Sequence, residues 1–151
     1  MIEPLELPVF SLIGIPVILV VAGFFLLMLK ILTRSGRFFV IRKRWPAEMK
    51  PAGTEYNRQN IALQGVWFKN TANLVVAGKG LYLSFGFPVS LYEPGAAFIP
   101  WNSVRFIKKG RAFLTDVYEY EVWVDPPVIL TVTGLIAGSF PGDLNPGIVA
   151  A

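Results

Sequence analysis

Residues 7–29 read LPVFSLIGIPVILVVAGFFLLML, 23 residues without one ionisable side chain. A helix of that length spans roughly 34 Å, at about 1.5 Å per residue. The hydrocarbon core of a bilayer is about 30 Å thick, and about 20 apolar residues cross it. The run therefore predicts a transmembrane helix over residues 7–32, with residues 1–6 outside it. A buried core helix seldom stays uncharged for so long. A cleavable signal peptide needs a basic start, an apolar core of about 7–15 residues and a small-residue cleavage site. Here the start carries Glu3 and Glu6 and no base, the core is longer, and the basic, bulky run Lys30-Ile-Leu-Thr-Arg34 follows. Pro16 removes one backbone hydrogen bond in mid-span, where proline is commoner than in soluble helices. Gly14 and Gly23 do not have the GxxxG spacing of close helix pairs.

The flanks set an orientation. Two acids and no base precede the run; Lys30, Arg34, Arg37, Arg42, Lys43, Arg44 and Lys50 follow it. Lys and Arg stay on the cytoplasmic side, so the N-terminus is expected outside a bacterial inner membrane and the rest of the chain in the cytoplasm. Residues 1–50 hold seven bases and three acids, and residues 51–151 hold seven of each, so the whole net charge of +4 sits beside the anchor. A nucleic-acid-binding domain would carry its bases over the folded part, so no nucleic-acid partner is expected. Membrane lipids are, since juxtamembrane bases near anionic headgroups contribute about 1 kcal/mol each.

Residues 33–60 read as a basic juxtamembrane segment and linker. Phe38, Ile41 and Trp45 recur at helical spacing, apart from Arg37, Lys43 and Arg44. That predicts a short amphipathic helix, lying at the interface or packed on the following domain, and ended by Pro46. Lys30, Arg34, Arg37, Arg42, Lys43, Arg44 and Trp45 are the expected membrane-interface residues. Residues 47–60, polar with Pro51 and Gly53, read as a loop.

Residues 61–137 are expected to form one β-domain. Short β-patterned runs fall at residues 61–68, 72–77, 80–85, 97–100, 104–108, 117–124 and 128–133, each bounded by Gly, Pro or Asn. In VYEYEVWV, residues 117–124, Glu119 and Glu121 alternate with Tyr118, Tyr120, Val122 and Val124, the mark of a half-buried strand. Seven such runs predict a small antiparallel barrel or sandwich. A tight turn is expected at Lys109-Gly110, with Arg105, Lys108, Lys109 and Arg111 around its tip as a candidate lipid- or partner-binding hairpin. Asp116 and Glu93 are the acids expected to offset it. Residues 138–151 form a Pro/Gly-rich tail whose Phe140, Leu144, Ile148 and Val149 suggest docking, on the domain itself or on a partner.

The runs Gly80-Leu-Tyr-Leu-Ser84 and Phe98-Ile-Pro-Trp-Asn102, with the upstream Ser35-Gly36 and Trp45-Pro46-Ala47, resemble small bacterial membrane-anchored proteins with a pleckstrin-homology-like or GRAM-like β-domain. The resemblance covers residues 35–133. It implies a single helix followed by a seven-stranded bent sheet closed by a C-terminal helix. The chain departs from that pattern after Thr133, where only GLIAG at residues 134–138 can be helical, so another element must cover that end. Proline suits an edge strand, and Trp101 beside Pro100 is expected to cap the core.

The chain has no histidine and no cysteine. Ser-His-Asp and Cys-His nucleophiles, thiolate redox chemistry and the usual zinc, haem and iron–sulfur ligation are therefore excluded. Gly78-Lys79-Gly80 lacks the spacing of a phosphate loop and reads as a turn. No catalytic, metal or cofactor residue is expected. Two functions fit. One is a non-catalytic accessory subunit of a larger inner-membrane complex, its helix packed on integral membrane subunits and its β-domain capping their cytoplasmic face. Its layout is analogous to the one-helix subunit of the photosynthetic reaction centre and to respiratory accessory proteins. The other is an anchored module that binds anionic headgroups or a peptide.

Overall fold

A computed structural model describes residues 9–145. Its first element, α1 (Val9–Ser35), has Pro16 in its interior and is long and apolar enough to cross a membrane from Leu12 to Ser35. Its large apolar side chains from Leu12 to Leu32 are exposed apart from the half-buried Leu29, and its most apolar stretch is nowhere buried against the rest of the chain.

At the end of α1, Gly36 N–H donates to Leu32 O, and Arg37 turns the chain with a left-handed backbone. The next helix, α2 (Phe38–Arg44), follows without a linker. It packs on the domain: Phe38 and Ile41 are fully buried and Trp45 lies against the core, so the apolar stripe expected there faces protein.

The rest is mainly β. The strands are β1 (Pro46–Ala47), β2 (Thr54–Leu63), β3 (Val66–Val76), β4 (Gly80–Phe85), β5 (Ala96–Pro100), β6 (Val104–Ala112), β7 (Thr115–Val122) and β8 (Val128–Thr133). They form one antiparallel sheet in the order β1-β5-β4-β3-β2-β8-β7-β6. Two meanders, β2 to β5 and β6 to β8, are thus joined where β2 meets β8, at Ala62↔Thr131 and Leu63↔Leu130, and just beyond by Gln64 N–H donating to Ile129 O at 2.9 Å and Ile129 N–H donating to Gln64 Oε1 at 2.8 Å. The sheet folds over itself, since Leu74, Leu83 and Ile99 of one limb and Tyr120, Leu130 and Val132 of the other line a single core. Register shifts in β2 help the bend, because a bulge sharpens local twist. Asn side chains accept the backbone N–H groups there: Arg58 N donates to Asn73 Oδ1 at 3.1 Å, and Asn70 N to Asn60 Oδ1 at 2.7 Å.

Three sequence expectations need correction. Residues 61–68 are not one strand: Gln64 and Gly65, both at positive φ, make a two-residue turn between Leu63 and Val66. The supposed loop 47–60 contains most of β2. The β6–β7 turn lies at Phe113-Leu114, while Lys109 and Gly110 are paired strand residues opposite Tyr118 and Val117. The expected strands at 80–85 and 128–133 have the observed bounds. Gly80 is required by close approach, since a Cβ there would lie 2.4 Å from Ile99 O.

The open end of the sheet is covered from within. After α3 (Gly134–Ala137), a single turn, the chain runs through Phe140 to a 3-10 turn at Gly142–Leu144. Phe140 is 2 % and Leu144 7 % exposed. The Phe140 ring centroid lies 5.0 Å from that of Trp101 and 4.9 Å from that of Tyr120. The Tyr120 hydroxyl donates to Leu144 O at 2.7 Å, and Tyr56 Oη is hydrogen-bonded to Ser139 Oγ. Burial pushes the Tyr120 hydroxyl above its ordinary range, so it stays a donor. Phe140 and Leu144, beyond the short α3, are therefore packed into this domain's own core with Ile136 and Ala137 rather than presented as an exposed docking tail. Ile148, the third residue of the expected docking set, lies outside the described residues. Trp101 is half-buried and packs against the core, in line with the expected capping role, its indole N–H donating to Ala77 O at 2.9 Å.

Candidate functional site

The basic residues from the end of α1 onward separate into distinct roles. Arg37 is turned into the domain, its guanidinium donating to Pro126 O at 2.9 Å. Arg42 donates to Pro94 O and lies 3.6 Å from the Glu93 carboxylate. Arg34 lies over the Phe39 ring at 5.3 Å and Arg44 over Trp45 at 5.9 Å. Lys30, Arg34, Lys43 and Arg44 remain exposed. Of the seven expected interface residues, these four present charge outward, while Arg37, Arg42 and Trp45 are partly used inside the domain.

A cleft of about 610 Å³ lies between the end of α1, α2, β1 and the connection from β4 to β5. Arg34, Phe39, Arg42, Lys43, Tyr92 and Glu93 line it. The connection is shaped by a 3-10 turn at Val89–Leu91, from which Glu93 N–H donates back to Val89 O at 2.9 Å. This places Glu93 behind Arg42. The carboxylate is 1 % exposed, and neither oxygen accepts a hydrogen bond from a described residue. Desolvation raises its pKa, opposed in part by the charges of Arg42 and Arg34. Burying a carboxylate without hydrogen bonds is costly unless a cation is close, and Arg42 is that cation. The sequence reading assigned Glu93 to offset the β6–β7 hairpin; its partner is on α2 because that helix is packed beside the β4–β5 connection. No sequence pattern links the two, since their meeting depends on where α2 docks.

The hairpin bases are not a free cationic tip. They lie along β6 and face acids of β7: Arg105 pairs with Glu121 at 3.1 Å, Lys108 with Glu119 at 3.5 Å, and Lys109 with Asp116 at 3.5 Å. Arg111 stands opposite Asp116 in register. Such exposed pairs contribute about 0–1 kcal/mol each, but they leave three acids among four bases. The tip is apolar instead, Phe113 and Leu114 being 70 % and 91 % exposed at positive φ. The turn expected at Lys109-Gly110 lies four residues before this tip. The charge pairing of residues 105–111 with 116–121 is the signal that centres the hairpin on 113–114.

No protein-family model, curated protein or solved structure matches this chain.

Proposed function

We propose that this protein is a non-catalytic accessory subunit of a bacterial inner-membrane complex, with α1 crossing the bilayer and the β-domain held on the cytoplasmic face. One observation carries the reading. A long apolar helix stands uncovered by its own chain and runs without a flexible linker into a packed domain. Exposed apolar surface on that scale needs lipid or other apolar helices around it. The cationic stretch from Lys30 to Lys50 on the domain side favours a cytoplasmic domain. The two joined meanders, together with the Gly80–Phe85 strand and the capping Trp101, support the pleckstrin-homology-like reading, with Phe140 and Leu144 in place of a long closing helix.

Mild-detergent extraction followed by size analysis tests the subunit role. The chain should migrate with integral membrane proteins, well above its own 16.7 kDa in a micelle. A Cβ added at Gly14 or Gly23 meets nothing within 4 Å in this chain. Gly14→Leu and Gly23→Leu should therefore leave the protein in the membrane while weakening its hold on neighbouring helices. Migration alone, with no co-purifying protein, contradicts the subunit role. The alternative of headgroup binding at the β6–β7 hairpin has less support, because that ladder is nearly charge-balanced.

A further inference from the structure

The cleft beside α2 has properties that anchoring alone does not require. Arg34, Arg42 and Lys43 converge on it, and Phe39, Tyr92 and Ala96 give it an apolar wall. Its volume of about 610 Å³ falls within the roughly 300–1,000 Å³ of small-molecule sites. Glu93, 1 % exposed and without a hydrogen-bond donor among the described residues, stands behind Arg42. Together with Pro94 O it holds the guanidinium from one side. Three cations against one carboxylate leave the cleft net positive. Arg34 is in the last turn of α1, where a spanning helix reaches the phosphate layer.

We propose that this cleft binds the phosphodiester of an anionic phospholipid, with Arg34 and Lys43 as direct phosphate contacts and the glycerol end of the lipid against Phe39 and Tyr92. Arg42 contributes a third charge-assisted donor, and Glu93 is its positioning residue. Guanidinium and ammonium groups make short, strong hydrogen bonds to phosphate oxygens. The inference rests on the membrane-anchored reading above and assigns that reading a lipid class. A soluble glycerophosphodiester carries the same chemistry, so the two sources need separate arms.

The full chain is reconstituted in nanodiscs of phosphatidylcholine alone, or with phosphatidylglycerol as the minor lipid, and lipids retained after release into detergent are counted by native mass spectrometry. Phosphatidylglycerol should be enriched several-fold over its share of the bilayer. Arg34→Gln with Lys43→Gln should abolish the enrichment, and Lys69→Gln with Lys79→Gln, which removes equal charge from exposed positions outside both the cleft and the membrane-interface set, should preserve it. Equal loss in both pairs, or no enrichment in the native chain, overturns the site. Soluble glycerophosphoglycerol at matched concentration should fail to displace the retained lipid, and full displacement overturns the lipid assignment. Extraction of the chain from membranes by alkaline carbonate overturns the anchored reading and the site together. A chain that resists carbonate but shows no enrichment overturns the site alone.

Discussion

The Arg42 guanidinium lies 3.6 Å from the Glu93 carboxylate, and this pair joins α2 to the β4–β5 connection. It therefore fixes how the domain is presented at the end of α1. It also makes stability depend on pH. Desolvation raises the Glu93 pKa above its ordinary 4.5, so the native chain holds this proton more tightly than the unfolded chain does. That contribution is fully present below 4.5 and is lost as pH rises through the raised value. Glu93→Gln removes the penalty of a buried charge, with Arg42 still donating to Pro94 O. In detergent, Glu93→Gln should melt above the native chain at neutral pH, and the gap should close as pH falls through the raised value and be gone below 4.5. A gap independent of pH contradicts this account of Glu93.

The junction should tolerate little bulk. A Cβ on Gly36 would lie 2.9 Å from the Phe68 ring and 3.4 Å from Leu63 Cβ. Phe68 is itself packed against Phe85 at 4.8 Å. Overpacking of this kind costs about 1–3 kcal/mol. Gly36→Val should lower the stability of the full chain by that amount, read as a lower melting temperature, and increase proteolysis between α1 and the domain. Unchanged melting and proteolysis would mean that the junction is loose.

The C-terminal segment should behave as core. Phe140→Ala removes a 2 %-exposed ring that touches Trp101 and Tyr120, and such truncations cost about 3–5 kcal/mol. Tyr120→Phe removes one buried hydrogen bond to Leu144 O, worth about 1–2 kcal/mol with the acceptor left unpaired. Denaturant unfolding of both variants in detergent measures these losses. An unchanged midpoint for Phe140→Ala would return Phe140 to the role of a partner-docking residue.

The β6–β7 turn should be easy to improve. Phe113 and Leu114 occupy two consecutive left-handed positions, at φ 52° and 65°, where a two-residue hairpin prefers Asn-Gly. A side chain in that region costs about 1–2 kcal/mol. Phe113→Asn with Leu114→Gly should therefore raise stability by about 1–3 kcal/mol. The Phe113 ring that is replaced also contacts Trp67 and Lys69, so the gain falls toward the lower end. Loss of stability in the double variant would show that these contacts outweigh the backbone strain.

The long apolar helix was legible because 23 consecutive residues carry no ionisable side chain. The strands at 80–85 and 128–133 were legible because glycine and proline bound them. The Gln64-Gly65 turn was missed because apolar residues flank it on both sides, so residues 61–68 read as one continuous run. The hairpin tip was missed because Lys109-Gly110 looks more like a turn than Phe113-Leu114 does, and only the cross-strand ion pairs correct it. The tail's apolar residues were recognised, but their destination depended on how far α3 extends. The Arg42–Glu93 pair was out of reach of local pattern, since it forms only once α2 has docked beside the β4–β5 connection.

The chain has no native cysteine, so single introduced cysteines report topology without background. Glu3→Cys and Gln64→Cys, the latter on an exposed turn, should be probed in cells with a membrane-impermeant maleimide. A membrane-crossing α1 with a cytoplasmic domain predicts labelling of Glu3→Cys in intact cells, and of Gln64→Cys only after the inner membrane is opened. Labelling of Gln64→Cys in intact cells, or release of the chain into the soluble fraction, would contradict it.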